Sequence, residues 1–334
     1  MANILYHVDA WAGRYNAGSE SMNNTMAKYL ASKGHFVHVL TNPTMADDQE
    51  ERDGLIFFTT VTDAKTIEEQ YAWADFVVTS IAFTPRVNAL CKKYNKRLIY
   101  VIHNNHSGPF WEVKQDDVWL AVYNADWIKK YHNEKFKWNP KKEMTMYPPV
   151  LLEEYQVEDG EKECISLVNL SLNKGVLTLI QAAKMMPEYK FLAVKGGYGE
   201  QVLTLPNGNV ELVEHTNNIT QDVYRRSKLI MMPSKKETWG MVAIEAMCSG
   251  IPVLAHPTEG LVEACGDAGI FIIRDKAYLW ESQVKRLMED DEYYALCSAK
   301  CKERAQYLSD LSKSQLEEWE RIISENSINE SIED

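Results

Sequence analysis

The chain has 334 residues, of which 45% are hydrophobic and 25% charged, with a formal net charge of −12. This is the composition of a folded globular protein too long for one ordinary core, and it points to two domains of common size. No apolar run reaches the length of a membrane span, and the acidic balance argues against tight, nonspecific binding to nucleic acid.

The charge is unevenly shared. Up to Val150 there are 17 Lys and Arg against 17 Asp and Glu, which leaves 19 against 31 and the whole −12 in the remainder. The neutral half carries basic clusters at Lys92, Lys93, Lys96 and Arg97, and at Lys129, Lys130, Lys135, Lys137, Lys141 and Lys142. These read first as a solvated face and second as a surface for an anionic acceptor such as nucleic acid or lipid headgroups. The cysteines, Cys91, Cys164, Cys248, Cys265, Cys297 and Cys301, lack CxxC or metal-finger spacing and read as reduced, packed thiols. MANILYHVDAW enters a strand-like segment without the basic and apolar stretches of a signal peptide, so a cytoplasmic protein is expected.

In chain order, residues 4–8 read as a strand, followed by a loop with Gly13 and Gly18. A helix is predicted over 19–33, with Met22, Met26 and Leu30 on one face, and a strand over 36–40. Asn16-Ala17-Gly18-Ser19-Glu20 lies where strand gives way to helix, a position where N–H groups can cradle phosphate. A plain turn explains it equally well. Strands over 55–61, 76–80, 98–103 and 118–123, with helices near 64–73, 84–95 and 125–134, predict a mostly parallel sheet covered on both faces. His103 ends the apolar strand RLIYVIH, where side chains face the crevice of an α/β sheet, and in isolation it reads more simply as a structural histidine. His103 and His106 lack the carboxylate or Cys spacing of a metal site, so no metal is predicted.

Tyr147-Pro148-Pro149-Val150 and the acidic run LLEEYQVEDGEKE mark a domain junction. A second alternation follows, with a strand over 164–170 and Asn173-Lys174-Gly175 opening a helix to about 186. A strand over 191–194 then runs into Lys195-Gly196-Gly197-Tyr198-Gly199. After a strand over 210–214, a helix near 220–226 and a strand over 229–232 comes PSKKETWGMVAIEAMCSGIPVLAH, from Pro233 to His256. Its helix, starting near Gly240, sets Glu245 beside an apolar stripe of Met241, Ile244 and Cys248, so the acid needs a hydrogen-bond partner. Glu237 lies in the loop before that helix, where the dipole favours anions. As a lone pair, the two acids read more simply as a solvated loop acid and the edge of a packed helix. A strand over 269–273 and helices over 277–289, 292–308 and 312–325 complete the chain. Neither half has GxGxxG after its first strand and no GK[ST] occurs, which disfavours a dehydrogenase and a P-loop enzyme.

ETWGMVAIEAMCSGIPVLAH, preceded by a strand and Pro-Ser and followed by GLVEACGDAGIF, resembles the signature of family-4 (group 1) retaining glycosyltransferases of the GT-B fold. Ala17-Gly18-Ser19-Glu20 is similar to that family's Gly-rich first loop, without its usual double glycine. His103 is similar to its His after an N-domain strand, Lys174-Gly175 to its phosphate element, and Lys195 to Gly199 to its glycine-rich turn near the base. The resemblance implies an α/β chain of two Rossmann-like α/β/α domains facing a central cleft. Residues 1–150 would bind the acceptor and 151–311 the nucleotide-sugar, while a helix at 312–325 with Leu316, Trp319 and Ile323 would pack back on the first domain.

The implied reaction is the retaining transfer of a hexose or pentose from a UDP- or GDP-type sugar to an acceptor hydroxyl. No metal and no cofactor beyond the nucleotide-sugar are implied. The implied catalytic residues are Lys174 against the leaving diphosphate, Glu237 on the donor-sugar hydroxyls, and His103 near the donor sugar and the attacking hydroxyl. Donor contacts would come from Gly18, Ser19, Asn169, Lys174, Gly197, Thr238, Trp239, Gly240, Met241 and Glu245, the last accepting from ribose hydroxyls. Acceptor contacts are expected from Trp11, His106, Phe110 and Trp111, with Trp127 nearby in sequence to the basic clusters. Sugar stacking, base stacking and core packing each explain such aromatics. Asn169 departs from the family, which carries a basic residue there. Part of the phosphate clamp is then missing or supplied elsewhere, with Arg225 or Arg226 as candidates. A glycan or lipid-linked saccharide is the first expectation for the acceptor, with peripheral membrane contact allowed, and a hydroxylated base in DNA the second. A nucleotide-sugar epimerase or hydrolase, and an inactive nucleotide-sugar or nucleic-acid binding module, remain alternatives.

Overall fold

Apolar runs such as FVVTS, RLIYVI, VWLAVY and SKLIMM leave a strand no solvent face, and each lies inside a parallel sheet. The computed structural model describes residues 1–11, 18–41, 56–60, 63–80, 83–106, 111–157, 160–197, 199–206 and 208–327. The chain divides into two compact units, Met1–Pro149 with Ser312–Asp334, and Val150–Leu311.

The first unit contains β1 (Asn3–His7), α1 (Gly18–Ser32), β2 (Phe36–Thr41), β3 (Ile56–Thr60), α2 (Ala64–Trp73), β4 (Phe76–Ser80), α3 (Thr84–Tyr94), β5 (Arg97–Ile102), β6 (Val118–Tyr123), α4 (Asp126–Phe136) and β7 (Glu143–Thr145). Its seven strands run in the order β3-β2-β1-β4-β5-β6-β7 and all pairs are parallel. Local chemistry sets the helix ends. The Asp63 side chain accepts from the Thr66 N–H to cap α2, and α3 has Pro in its first turn and a left-handed Asn95 at its end. The short β7 was not predicted, because three residues are too few to show a period of two.

The second unit contains α5 (Leu152–Tyr155), β8 (Cys164–Val168), α6 (Val176–Met185), β9 (Lys190–Val194), β10 (Val210–Val213), a π-helical turn (Thr220–Tyr224), β11 (Ser227–Met232), α7 (Met241–Cys248), β12 (Val253–Ala255), α8 (Glu259–Cys265), β13 (Ile270–Phe271) and α9 (Ala277–Glu289). Six parallel strands run β10-β9-β8-β11-β12-β13. The predicted last strand shrinks to two residues, and α5 forms inside the acidic run read as a linker.

The helices predicted over 292–308 and 312–325 are one helix, α10 (Asp291–Ser327), of 37 residues. The intervening Ser309, Asp310 and Leu311 include no Gly or Pro, and Ser309 and the following Ser312 are buried, so nothing breaks the backbone ladder. The division between units falls within this helix, at Leu311 and Ser312. In the first unit, Leu316, Trp319 and Ile323 join Ile4, Tyr6 and Val8 of β1 and Met22, Met26 and Leu30 of α1 in a single core. Gln315 accepts from the Tyr147 N–H at 3.0 Å, and Arg97 donates to the Asn326 carbonyl at 2.8 Å.

Three histidines of this unit are buried and neutral. Desolvation lowers His103 and His132 to about 4, with Lys135 adding to the effect on His132, and lowers His7, near Arg86, to about 3. All six cysteines are free and buried, and burial pushes Cys91, Cys248, Cys265 and Cys301 up to about 12. Among the described residues no helix is long and apolar enough to cross a membrane, and no group of three or more His, Cys, Asp or Glu is arranged to hold a metal.

Trp319 is fully enclosed, so Trp319→Ala should cost the first unit about 3–5 kcal/mol, measured as a fall in the urea midpoint at unchanged slope. The buried histidines set an acid limit. Below their ordinary value of 6.5 the unfolded chain takes up protons that the native chain refuses until about 4. Stability should therefore fall as pH drops through that window, by up to about 1.4 kcal/mol per pH unit for each histidine. Urea unfolding at a series of pH values should show a shallower acid slope in His132→Asn than in the unmodified chain.

Candidate functional site

In the second sheet the strand order reverses between β8 and β11, the position where α/β sheets open a crevice at their carboxyl ends. The loop with Lys174 follows β8 and the loop with Glu237 follows β11, so parallel pairing of the two strands sends both loops to one end. There the Lys174 Nζ lies 2.5 Å from the Glu237 Oε1, with side chains 27% and 9% exposed. The Ser234 hydroxyl donates to the same oxygen at 3.0 Å. Glu237 is therefore not a solvated loop acid but one held by two partners, and both partners come from motifs beside it.

The two loops are tied along their backbones. The Lys235 N–H donates to the Asn173 carbonyl at 2.8 Å, and the Arg274 guanidinium donates to the Leu172 carbonyl at 2.5 Å and the Asn173 carbonyl at 3.2 Å. Gly175 is left-handed, and a Cβ there would lie 2.4 Å from Pro233 Cγ and 2.7 Å from its carbonyl oxygen. Gly240 is left-handed as well, and a Cβ would lie 2.6 Å from Leu261. These glycines precede α6 and α7, and neither helix has a side-chain cap. The Val176 and Thr178 N–H groups of α6 and the Ala243 N–H of α7 donate to backbone carbonyls, so an anion at the carboxyl end of the sheet would meet the remaining first-turn N–H groups, those of Leu177, Met241 and Val242.

Glu245 lies on the second turn of α7, half-buried, and its Oε2 accepts from the Tyr224 hydroxyl at 2.6 Å. Burial pushes its carboxyl up to about 7, against the opposing pull of that hydrogen bond. Met241 is half-buried at the start of the helix. The Trp239 side chain, predicted to meet the donor, is only 3% exposed, because the residue before Gly240 turns its ring into the protein. Its ring is therefore a packing element.

Asn169 adopts a left-handed backbone, which suits Asn among non-glycine residues. Its Oδ1 accepts from the Ser171 N–H at 3.1 Å and from Gln201 Nε2 at 3.2 Å. Gln201 Oε1 in turn accepts from the N–H groups of Leu170 at 2.7 Å and Gly196 at 2.9 Å. A neutral amide pair thus joins the loop after β8 to the glycine turn after β9, where a basic residue was expected. Gly197 lies in that turn against the His215 ring. The suggestion that Arg225 or Arg226 replaces the missing charge is corrected. Both precede β11, about 20 Å of strand from its carboxyl end, and Arg226 is bidentate to Glu211. Tyr224, Gln201 and Arg274 were missed by sequence reasoning, since each acts through a contact between distant segments that no local pattern encodes; Ser234 was missed as well, although its partner Glu237 is three residues on.

In the first unit, His103 follows β5, is 7% exposed, and its Nε2 has no partner among the described residues. The Asn124 amide donates to its carbonyl at 3.1 Å. His106 is exposed, and its N–H donates to Asn104 Oδ1. Trp11, expected to meet an acceptor, is corrected to a core residue. It is 5% exposed and meets Tyr6 and Phe58 edge-on. Trp111 is 77% exposed beside Phe136, while Trp127 packs edge-on to Tyr131. Phe110, Tyr198 and the Asn16-Ala17 part of the first loop lie outside the described residues; Gly18 and Ser19 open α1. Much of the basic surface is internally engaged, with Lys92 on Asp117 and Lys129 on Glu143 at 2.6 Å each.

Gly175→Ala should displace the 233–237 loop and separate Lys174 from Glu237, at a cost of about 1–3 kcal/mol. A crystal structure of the variant, together with its melting temperature, checks this.

The sequence model of the glycosyl transferases group 1 family matches residues 151–304. A D-inositol 3-phosphate glycosyltransferase of Corynebacterium efficiens is 35% identical over 107 residues, 31% of this chain and 23% of that protein. One of Rhodococcus opacus is 33% identical over 90 residues, 26% of this chain and 20% of that protein. The chain thus spans under a quarter of the length of these curated relatives. Sucrose-phosphate synthase from Thermosynechococcus elongatus superposes with a TM-score of 0.79 at 16% identity, over 97% of this chain and 100% of that one. Anabaena Alr3699/HepE in complex with UDP-glucose gives 0.72 at 16% identity, over 95% and 100%, and the lipopolysaccharide-biosynthesis glycosyltransferase WaaG 0.71 at 14% identity, over 94% and 98%. Residues 151–304, nearly all of the second unit, thus match the group 1 glycosyltransferase family, and the chain over its length has the GT-B fold of these structures.

Proposed function

We propose that the chain is a retaining glycosyltransferase that moves a sugar from a UDP- or GDP-type nucleotide-sugar to an acceptor hydroxyl. The observation that supports this most is the Lys174–Glu237 pair at the carboxyl ends of β8 and β11, between two uncapped helix starts. The UDP-glucose complex of the Anabaena neighbour favours a UDP-sugar as donor. The lipopolysaccharide role in the name of WaaG favours a glycan or lipid-linked saccharide as acceptor. The free, buried thiols suit a cytoplasmic protein. No cofactor beyond the nucleotide-sugar is asked for.

In this reaction the bond from the anomeric carbon to the diphosphate oxygen breaks, and its electron pair leaves with the diphosphate. The acceptor oxygen bonds to the anomeric carbon on the same face and passes its proton to the departing diphosphate oxygen. Negative charge grows on the leaving oxygens, and a fixed cation there stabilises the transition state more than the ground state. Lys174 and the first-turn N–H groups of α6 and α7 fill that role. Glu237, steadied by Ser234, accepts from donor-sugar hydroxyls, and Glu245 from the ribose. His103 is neutral well above its value of about 4, so it acts through a hydrogen bond and not through charge.

Incubation with UDP-glucose, UDP-galactose, UDP-N-acetylglucosamine and GDP-mannose, with and without saccharide acceptors, tests the reading. One donor should release nucleotide in an acceptor-dependent way. Lys174→Ala and Glu237→Ala should lower that release by about 10²–10³-fold while keeping the native circular dichroism spectrum. Unchanged turnover in both variants would sink the assignment, and nucleotide release without any acceptor would point to a hydrolase or epimerase.

A further inference from the structure

Glu245 and Tyr224 form a contact whose consequences go beyond the donor reading, although they rest on it for Glu245 as the ribose acceptor. Tyr224 is fully buried on the π-helical turn before β11, a form of helix frequent at functional sites. The turn is braced by the Ser227 hydroxyl, which donates to the Val223 carbonyl at 2.7 Å, and by the Arg225 N–H on the Thr220 carbonyl at 2.9 Å. The Tyr224 hydroxyl reaches Glu245 Oε2 at 2.6 Å, the length of a bond to an ionised carboxylate. Glu245 Oε1 has no partner among the described residues, and the side chain keeps part of its surface open.

We infer that Tyr224 is a positioning residue for nucleotide recognition, holding one oxygen of the Glu245 carboxylate so that the other is free and correctly turned for a ribose hydroxyl. The groups facing this carboxyl make the bond matter. From α5 comes Tyr155, from the π-helical turn Tyr224 itself, and from α7 Cys248, while Glu154 and Glu153 of α5 act on Tyr155 and Cys248. None of these is a cation, so the charge on Glu245 depends on the Tyr224 hydroxyl. Desolvation by burial moves ionisation of Glu245 up to about 7, and the Tyr224 bond pulls the other way. A ribose hydroxyl that donates to Glu245 binds the ionised form. Nucleotide affinity therefore rises with pH until the carboxyl is fully ionised. A histidine cation attracting the diphosphate would give the opposite sign, since it loses its charge as pH rises.

Titration calorimetry with UDP-glucose and with GDP-mannose between about pH 5.5 and 8.5 tests this, because the diphosphate diesters do not titrate in that range. In the unmodified chain the affinity for whichever donor binds should climb to a plateau with a midpoint near 7. Tyr224→Phe should move the midpoint up by about one unit, weakening affinity about fivefold at pH 7 and little at the alkaline end. It should raise KM for the donor at neutral pH without lowering kcat at saturation. The same midpoint in both proteins, or an equal loss at every pH together with a lower kcat, overturns the inference. If the Phe variant fails to fold, the unmodified chain still decides: affinity that is flat or falls with pH overturns it. Binding of neither nucleotide-sugar would overturn the donor reading as well, whereas pH-independent binding overturns the role of Tyr224 alone.

Discussion

Parallel pairing of β8 with β11 is the constraint on which the second unit depends. Once these strands are neighbours at the point where the strand order reverses, their following loops must leave at the same edge and in contact. The contact is close enough to demand a residue without a side chain at Gly175, and it brings Lys174 and Glu237, 63 residues apart, within 2.5 Å. An acid and a lysine that would each be costly to bury alone satisfy one another, and Ser234 takes up further capacity of the carboxylate. The same geometry leaves two helix starts uncapped at that edge. Helix starts without side-chain caps, a paired lysine and an acid are thereby gathered at one edge of the sheet.

The departure at Asn169 has a physical account. A left-handed backbone at the end of β8 favours Asn, and the amide is occupied in tying the loop to Gln201 and, through it, to the turn at Gly196. An arginine or lysine at this position would lose both the tie and the backbone preference. Rigid placement of two loops has been gained where a second positive charge was expected. Arg274 does not supply that charge, because it is committed to the Leu172 and Asn173 carbonyls and steadies the same loop from a third direction. The cationic part of the site therefore rests mainly on Lys174 and on backbone N–H groups.

In the first unit the dominant constraint is desolvation. His7, His103 and His132 are kept neutral because burial penalises their charged forms. One ring nitrogen of His7 meets the Tyr71 hydroxyl and one of His132 the Asn104 carbonyl, while the Nε2 atoms of His7 and His103 have no partner among the described residues. The end of α10 contributes Trp319 to the same unit, so a segment more than 300 residues from the start of the chain completes the core around β1.

Much of this architecture was legible in the sequence. Uninterrupted apolar runs could only be buried parallel strands, and the break at Tyr147-Pro148-Pro149 separated two alternations. The order of short motifs then pointed to the family, and the acids, Lys174 and the glycines of the second half stood out because their spacing along the chain is itself the signal. What depended on contacts between distant segments was not legible. Trp11 and Trp239 look alike in sequence to aromatic ligand contacts, yet packing against neighbouring elements makes them core. Arg225 and Arg226 were available charges by composition but lie at the wrong end of β11. Tyr224 and Gln201 have no local signature because each acts on a residue 21 and 32 positions away. Periodicity and spacing are local properties and determined the elements and the motif order; which side chains meet was decided only when strand pairing set the loops against one another.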